Sequence, residues 1–245
     1  MKNKKTALIT GASRGIGKAI AESLAKDGYQ LYLTCRTNIQ TLTAFTSQLE
    51  QQYMIRCHAF CADAGSPSDM EQVFTQIDAL SGRLDVLVNN AGISHIGLIT
   101  DISLEEWDRL MRTNLSSVFY TSRLAVPLML RSHAGKIINI SSVWGCVGAS
   151  CEVAYSASKG GVNAFTMALA KELAPSNIQV NAIACGTINT EMNHFLSPED
   201  LEALTEEIPA GRFGDPAEVG ELVRTLCQSS GYLTGQIIRL DGGWI

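Results

Sequence analysis

Thr6-Ala7-Leu8-Ile9-Thr10-Gly11-Ala12-Ser13-Arg14-Gly15-Ile16-Gly17 sets a short apolar run directly before a three-glycine turn, and a helical pattern follows it. A strand that feeds a helix through such a turn leaves backbone N–H groups unpaired at the helix start, and glycines let the backbone approach a pyrophosphate closely. The spacing here is Gly-x-x-x-Gly-x-Gly, which only partly matches the dinucleotide fingerprint Gly-x-Gly-x-x-Gly. By itself the run also describes a tight turn.

Further apolar runs follow at 30–34, 55–60, 86–89, 136–140, 179–183 and 237–240, separated by longer helical patterns that include 17–26, 70–80, 104–130 and 155–173. Strands alternating with crossover helices predict an α/β fold, a doubly wound parallel sheet of about seven strands with helices on both faces. Ligands of such sheets bind at the carboxyl ends of the strands. With no composition break, repeat or linker, residues 1–245 are expected to form a single domain. The connection 187–208 is longer than an ordinary loop and is read as a substrate-covering lid; the bland alternative is a helical surface insertion.

Apolar residues make up 46% of the chain and charged residues 18%, which supplies a sizeable core. A net charge of −5 without a basic run gives no support to nucleic-acid binding. No stretch reaches the roughly 18 apolar residues of a membrane helix, and the apolar segment after the basic Met1–Lys5 is too short for a signal sequence. A cytoplasmic protein with small-molecule partners is expected. Seven scattered cysteines read as reduced thiols. Cys57, His58 and Cys61 lack a second ligand pair at zinc spacing, so no metal site is expected and they are placed in and around a strand.

In Tyr155-Ser156-Ala157-Ser158-Lys159, four-residue helical spacing sets a phenol beside an ammonium. A neighbouring positive charge favours the phenolate of a group whose ordinary pKa is roughly 10, which would make the tyrosine a usable acid. An exposed helical turn is the competing reading. The glycine spacing, the run Asn89-Asn90-Ala91-Gly92 at the end of the fourth strand, and this Tyr-x-x-x-Lys pair together resemble the short-chain dehydrogenase/reductase family over nearly the whole chain. The resemblance implies a Rossmann-type fold and a nicotinamide cofactor. It sets the glycine turn, Gly11, Ser13, Arg14, Gly15, Ile16 and Gly17, against the cofactor, with Ile16 and Gly17 at the pyrophosphate. Asp63 would lie near the adenine, Asn90 near the ribose with Ala91 and Gly92 beside it, and Lys159 on the nicotinamide ribose.

An acid about 20 residues beyond the glycine turn accepts hydrogen bonds from a ribose 2′-hydroxyl and repels a 2′-phosphate. This chain has Cys35-Arg36-Thr37-Asn38 there, so Arg36, helped by Arg14, is expected to clamp a 2′-phosphate and select NADPH. The family resemblance makes Ser142, thirteen residues before Tyr155, the carbonyl binder in preference to its neighbour Ser141, and gives Asn114 a water linking Lys159 to solvent. Retention of Asn114, Ser142, Tyr155 and Lys159 argues against a nucleotide sensor without chemistry. Where many family members carry Pro-Gly, this chain has Cys185-Gly186, which predicts a looser loop around the cofactor contacts Gly186, Ile188 and Thr190.

Two resemblances bear on substrate. Residues 114–119, 209–213 and 241–243 are similar to bacterial 3-oxoacyl-acyl-carrier-protein reductases of fatty acid biosynthesis, whose acidic carrier calls for basic residues at the site entrance; Arg131, His133, Lys136 and Lys171 are the candidates. Residues 94–101, which include His95, and 144–152 are similar to reductases that finish a 5-aminopentanone modification on elongation factor P. Glu152 can pair with a cationic amine or favour a helix N-terminus. The family resemblance also implies a homotetramer built through 104–130, 155–173 and the last strand.

Overall fold

The computed structural model describes residues 4–193 and 197–245. In chain order its main elements are β1 (Thr6–Ile9), α1 (Gly15–Lys26), β2 (Gln30–Cys35), α2 (Ile39–Tyr53), β3 (Cys57–Cys61), α3 (Pro67–Ser81), β4 (Val86–Asn89), α4 (Leu104–Met111), α5 (Ser117–Ser132), β5 (Gly135–Ser142), α6 (Trp144–Val147), α7 (Val153–Leu173), β6 (Ile178–Cys185), α8 (Pro198–Glu207), α9 (Pro216–Gln228) and β7 (Ile237–Leu240). The seven strands form one sheet in the order β3-β2-β1-β4-β5-β6-β7, and every pairing is parallel. Strand order reverses between β1 and β4, which opens a crevice at their carboxyl ends.

Successive strand residues point to opposite faces, and here both faces are covered. Ala7, Ile9, Leu31, Leu33, Val86 and Val88 face a core completed by Ile20 and Leu24 of α1, Leu42 of α2 and Val219 and Val223 of α9. Leu8, Tyr32, Leu87 and Ile137 face the other, completed by Met70 and Phe74 of α3, Ala125 and Leu128 of α5 and Leu173 of α7. Two-sided burial is why the strands read as continuous apolar runs. Among the described residues no helix is long and apolar enough to cross a membrane.

The expected helix at 104–130 is interrupted. Its start is fixed by a capping box in which Ser103 Oγ accepts from the Glu106 N–H and Glu106 accepts from the Ser103 N–H, but a π-turn at Arg112–Ser116 separates α4 from α5. The cause is tertiary. Asn114 in that turn accepts from the Ile93 N–H at 2.8 Å and donates to the Ile93 carbonyl at 2.8 Å, bonds that hold the loop after β4. One-turn π-bulges of this kind recur at functional sites.

The expected lid begins with a fixed stem. The Gly186 N–H donates to Leu240, Gly214 N–H to Thr187 and Asn189 N–H to Gly214 at 2.8–3.0 Å. These backbone bonds tie the loop to β7 and to Gly214 at the positions where the sequence pointed to a looser loop. Beyond the stem come a short 3-10 turn at Glu191–Asn193 and α8; residues 194–196 of the expected lid lie outside the described residues.

Helix α9 packs on α1 through Gly220, where an added Cβ would lie 2.8 Å from the Ala19 carbonyl oxygen and 2.7 Å from Ser23 Oγ. Helix propensity favours alanine over glycine by about 1 kcal/mol, whereas overpacking against backbone costs roughly 1–3 kcal/mol. Gly220→Ala is therefore expected to lower the thermal midpoint; a raised midpoint in a melting experiment would show that the α1–α9 contact yields freely.

Candidate active site

Thr10, at the end of β1, ties the glycine turn to β4. Its hydroxyl accepts from the Asn90 N–H at 3.0 Å and the Ala91 N–H at 3.1 Å. In return the Asn90 side-chain amide donates to the Thr10 and Gly11 carbonyls, each at 2.9 Å. Gly11 and Gly15 have φ of +66° and +52°, the left-handed region. At Gly17 a Cβ would lie 2.3 Å from the Gly11 carbonyl oxygen and 2.5 Å from Asn90 Nδ2, so the turn closes on its own helix. No side chain caps the start of α1, whose N-cap residue is Arg14. Its first N–H groups therefore lack a side-chain acceptor, and a closely approaching anion fits them. Ser13 and Ile16 are half-buried in the same turn. These features suit the diphosphate of a nicotinamide cofactor, which supplies hydride chemistry when bound.

Ala12 N–H donates to the Thr34 carbonyl at 2.9 Å, so Arg14 and Arg36, each two residues further on, leave the same point of the sheet edge. Arg36 is exposed and forms no ion pair among the described residues. Arg14 instead pairs with Glu191 at 2.8 Å, a partner the sequence reading did not anticipate. Asp63 lies two residues past β3, and its carboxylate accepts from the Gly65 N–H at 2.8 Å.

The catalytic candidates converge. Ser142 ends β5, and Tyr155 and Lys159 lie in the first two turns of α7. The Tyr155 phenol lies beside the Ser142 hydroxyl, whose Oγ accepts from the Trp144 N–H at 3.2 Å. Ser141 is committed elsewhere, to Asn163 at 2.7 Å. Lys159 Nζ lies 5.7 Å from the Tyr155 ring centroid and donates to the Ile140 carbonyl at 2.8 Å. Asn114 donates to Ser158 Oγ at 3.1 Å, and Ser158 donates to the Tyr155 carbonyl at 2.7 Å, so the π-turn holds the backbone of the Tyr-Lys turn. At Gly92 a Cβ would sit 3.6 Å from Lys159 Nζ and 3.4 Å from Asn114 Oδ1, which joins the nucleotide side to this cluster.

Electrostatics modify the expected role of Lys159. Burial pushes its pKa down to about 8, opposed by the neighbouring Cys185 thiol. Burial also raises the Tyr155 pKa above its ordinary value, opposed by the neighbouring Ser142 hydroxyl and reinforced by the Glu152 charge. The net shift of Tyr155 is upward because desolvation sets its direction, and the Lys159 ammonium, which donates to the Ile140 carbonyl, does not reverse it. Tyr155 is held as a proton donor.

Gly186 packs so close to Asp241 that a Cβ would meet its Cα at 2.9 Å. Ile188 is buried and pairs with Gly214, and the Thr190 methyl lies 3.4 Å from the Cβ position of Gly15. His95 lines a small apolar pocket with Leu98, Trp107 and Val153, and its buried Nε2 has no hydrogen-bond partner among the described residues. Glu152 occupies the N-cap position of α7 but its side chain makes no cap bond; burial pushes its pKa up, opposed by the neighbouring Trp144 side chain. Glu152 thus stands at a helix N-terminus, as one of its two expected readings has it, without a cap bond.

The basic residues expected at the entrance lie elsewhere in this chain. Lys136 is in the second position of β5 and donates to Ser229 at 2.8 Å, His133 caps the end of α5, and Arg131 pairs with Asp78. Lys171 is in the last turn of α7, about 24 Å along the helix from Tyr155 at 1.5 Å per residue. Parallel strands put all four at the amino edge of the sheet, opposite the site. The sequence reading missed Thr10, Ser158 and Trp144; of these only Thr10, adjoining the first glycine, carried a local signal.

The family model described as short chain dehydrogenase matches residues 5–201. The chain is 39% identical to the uncharacterized oxidoreductase YmfI of Bacillus subtilis, over 98% of each chain. It is 39% identical to the 3-oxoacyl-[acyl-carrier-protein] reductase FabG of Aquifex aeolicus, over 98% of this chain and 96% of that one. A crystal structure of a putative short-chain alcohol dehydrogenase from Sinorhizobium meliloti superposes with a TM-score of 0.92 at 37% identity, covering 98% of this chain and 96% of the other. With the glycine turn, the sheet order and the Ser-Tyr-Lys cluster, these matches establish that the chain belongs to the short-chain dehydrogenase/reductase family of oxidoreductases, which act on alcohol and ketone groups with a nicotinamide cofactor.

Proposed function

We propose that this protein is an NADPH-dependent reductase that converts a ketone to a secondary alcohol. The observation that carries the reading is the convergence of the Tyr155 phenol with the Ser142 hydroxyl beside it and with Lys159, which faces the Tyr155 ring at 5.7 Å. Ser142 Oγ hydrogen-bonds the carbonyl oxygen, and Tyr155 Oη gives that oxygen a proton as negative charge develops there. Lys159 binds the cofactor ribose and, when protonated, stabilises the tyrosinate left behind. Asn114 keeps the Tyr-Lys turn in register through Ser158, and in this reading holds a water that relays protons to Lys159. The exposed, ion-pair-free Arg36 beside the glycine turn supports the 2′-phosphate of NADPH over the hydroxyl of NADH.

For substrate, the names of the Aquifex aeolicus and Staphylococcus aureus relatives, both 3-oxoacyl-[acyl-carrier-protein] reductase, support a 3-oxoacyl thioester on an acyl carrier protein. A second reading, the 5-aminopentanone modification on elongation factor P, is favoured by Glu152. That half-buried carboxylate lies near Tyr155, where it can pair with an amine tail and offers nothing to a thioester. Robust turnover of acetoacetyl thioesters with NADPH supports the first reading; turnover confined to the modified factor supports the second. The reading extends to a homotetramer built through α5 and α7, on which Phe119 and Met167 are exposed apolar residues.

Tyr155→Phe is expected to lower kcat by at least about 100-fold, the scale of a lost general acid, with the NADPH dissociation constant unchanged within about twofold. Full retained activity would remove Tyr155 from the mechanism. With Lys159 titrating at about 8, the ammonium is present below that pH and lost above it. Ketone reduction is therefore expected to fall about tenfold per pH unit on the alkaline side. Lys159→Arg should move that limb to higher pH, and a flat profile between pH 7 and 10 would contradict the role given to Lys159.

A further inference from the structure

Arg14 and Glu191 are far apart in the chain, one in the glycine turn and the other in the 3-10 turn beyond the lid stem, and their side chains meet at 2.8 Å between Nη1 and Oε2. The fixed stem ends at Asn189, which is bonded to Gly214. Beyond it Thr190 packs its methyl against the Gly15 position, so residues 190–191 lie against the turn that carries Arg14. We propose that Glu191 is a specificity-determining residue for the cofactor, one that competes with a ribose 2′-phosphate for Arg14 and so reduces the preference for NADPH over NADH. This rests on the NADPH reading above.

Arg14 and Arg36 leave the sheet edge together, held there by the Ala12–Thr34 hydrogen bond. Arg36 forms no ion pair among the described residues, whereas Arg14 is already engaged by a carboxylate. A 2′-phosphate that draws on both guanidinium groups must exchange the Arg14–Glu191 bond for its own. A 2′-hydroxyl needs no such exchange. The two side chains are 69% and 55% exposed, which limits the size of the effect, because exposed ion pairs are weak.

The test is calorimetric titration of the full-length protein with NADP and NAD, without turnover. Glu191→Gln keeps the side-chain size and is expected to tighten NADP binding about two- to fivefold while leaving NAD binding unchanged. Arg14→Ala should weaken NADP binding, and adding Glu191→Gln to it should produce no further gain. An unchanged NADP constant in Glu191→Gln, an equal change for both cofactors, or a gain that persists in the Arg14→Ala background would overturn the inference. A wild-type preference for NAD would overturn the NADPH reading instead, a result visible before any variant is compared. Because the pair is exposed, a melting temperature close to that of the wild type certifies that each variant is folded.

Discussion

The hydrogen bonds between Thr10 and the Asn90–Ala91 segment join the carboxyl ends of β1 and β4, and both halves of the site depend on that junction. Strand order reverses there, so no crossover helix covers the gap. On one side the junction holds the glycine turn, with Gly17 packed too tightly for any side chain. On the other it starts the loop that reaches Ile93, where Asn114 takes over, and through Ser158 the restraint continues to Tyr155. One chain of short polar contacts thus sets the phosphate cradle and the proton donor in a common frame.

Lys159 shows what that frame costs. The residue is 5% exposed, and its ammonium is bonded to the Ile140 carbonyl and pairs with no carboxylate among the described residues. A buried charge without a counter-ion loses affinity for its proton, and a pKa of about 8 is the result. A structural lysine gains nothing from such a place; a group that must alternate between charged and neutral forms near physiological pH does.

Much of this was legible in the sequence because it is local. The apolar runs at 86–89 and 237–240 coincide with β4 and β7, and the expected β5 and β6 fall short by up to two residues at each end, where Ser141, Ser142 and Cys185 continue pairing without looking like a strand. Tyr155 and Lys159 share a helix face, as four-residue spacing requires. What was not legible depends on partners distant in sequence. The apolar pattern through 104–130 is continuous, and only the bonds between Asn114 and Ile93 reveal the π-turn. Nothing near Arg14 announces Glu191, and nothing near Glu152 announces the Trp144 side chain. The misplaced basic residues are a different case: Lys136 begins a strand and Lys171 ends a helix, so a parallel topology already put them at the far edge of the sheet.

The central claim is that the Ser142–Tyr155–Lys159 cluster completes a hydride transfer by protonating a carbonyl oxygen. It is tested most directly by incubating the protein with NADPH carrying deuterium at the transferable C4 position and an acetoacetyl thioester or another small ketone, and locating the label in the product by NMR. The account predicts deuterium on the carbinol carbon and a solvent-derived proton on oxygen, with no product from Tyr155→Phe. Alcohol formed without label, or label transferred equally well by Tyr155→Phe, would contradict it.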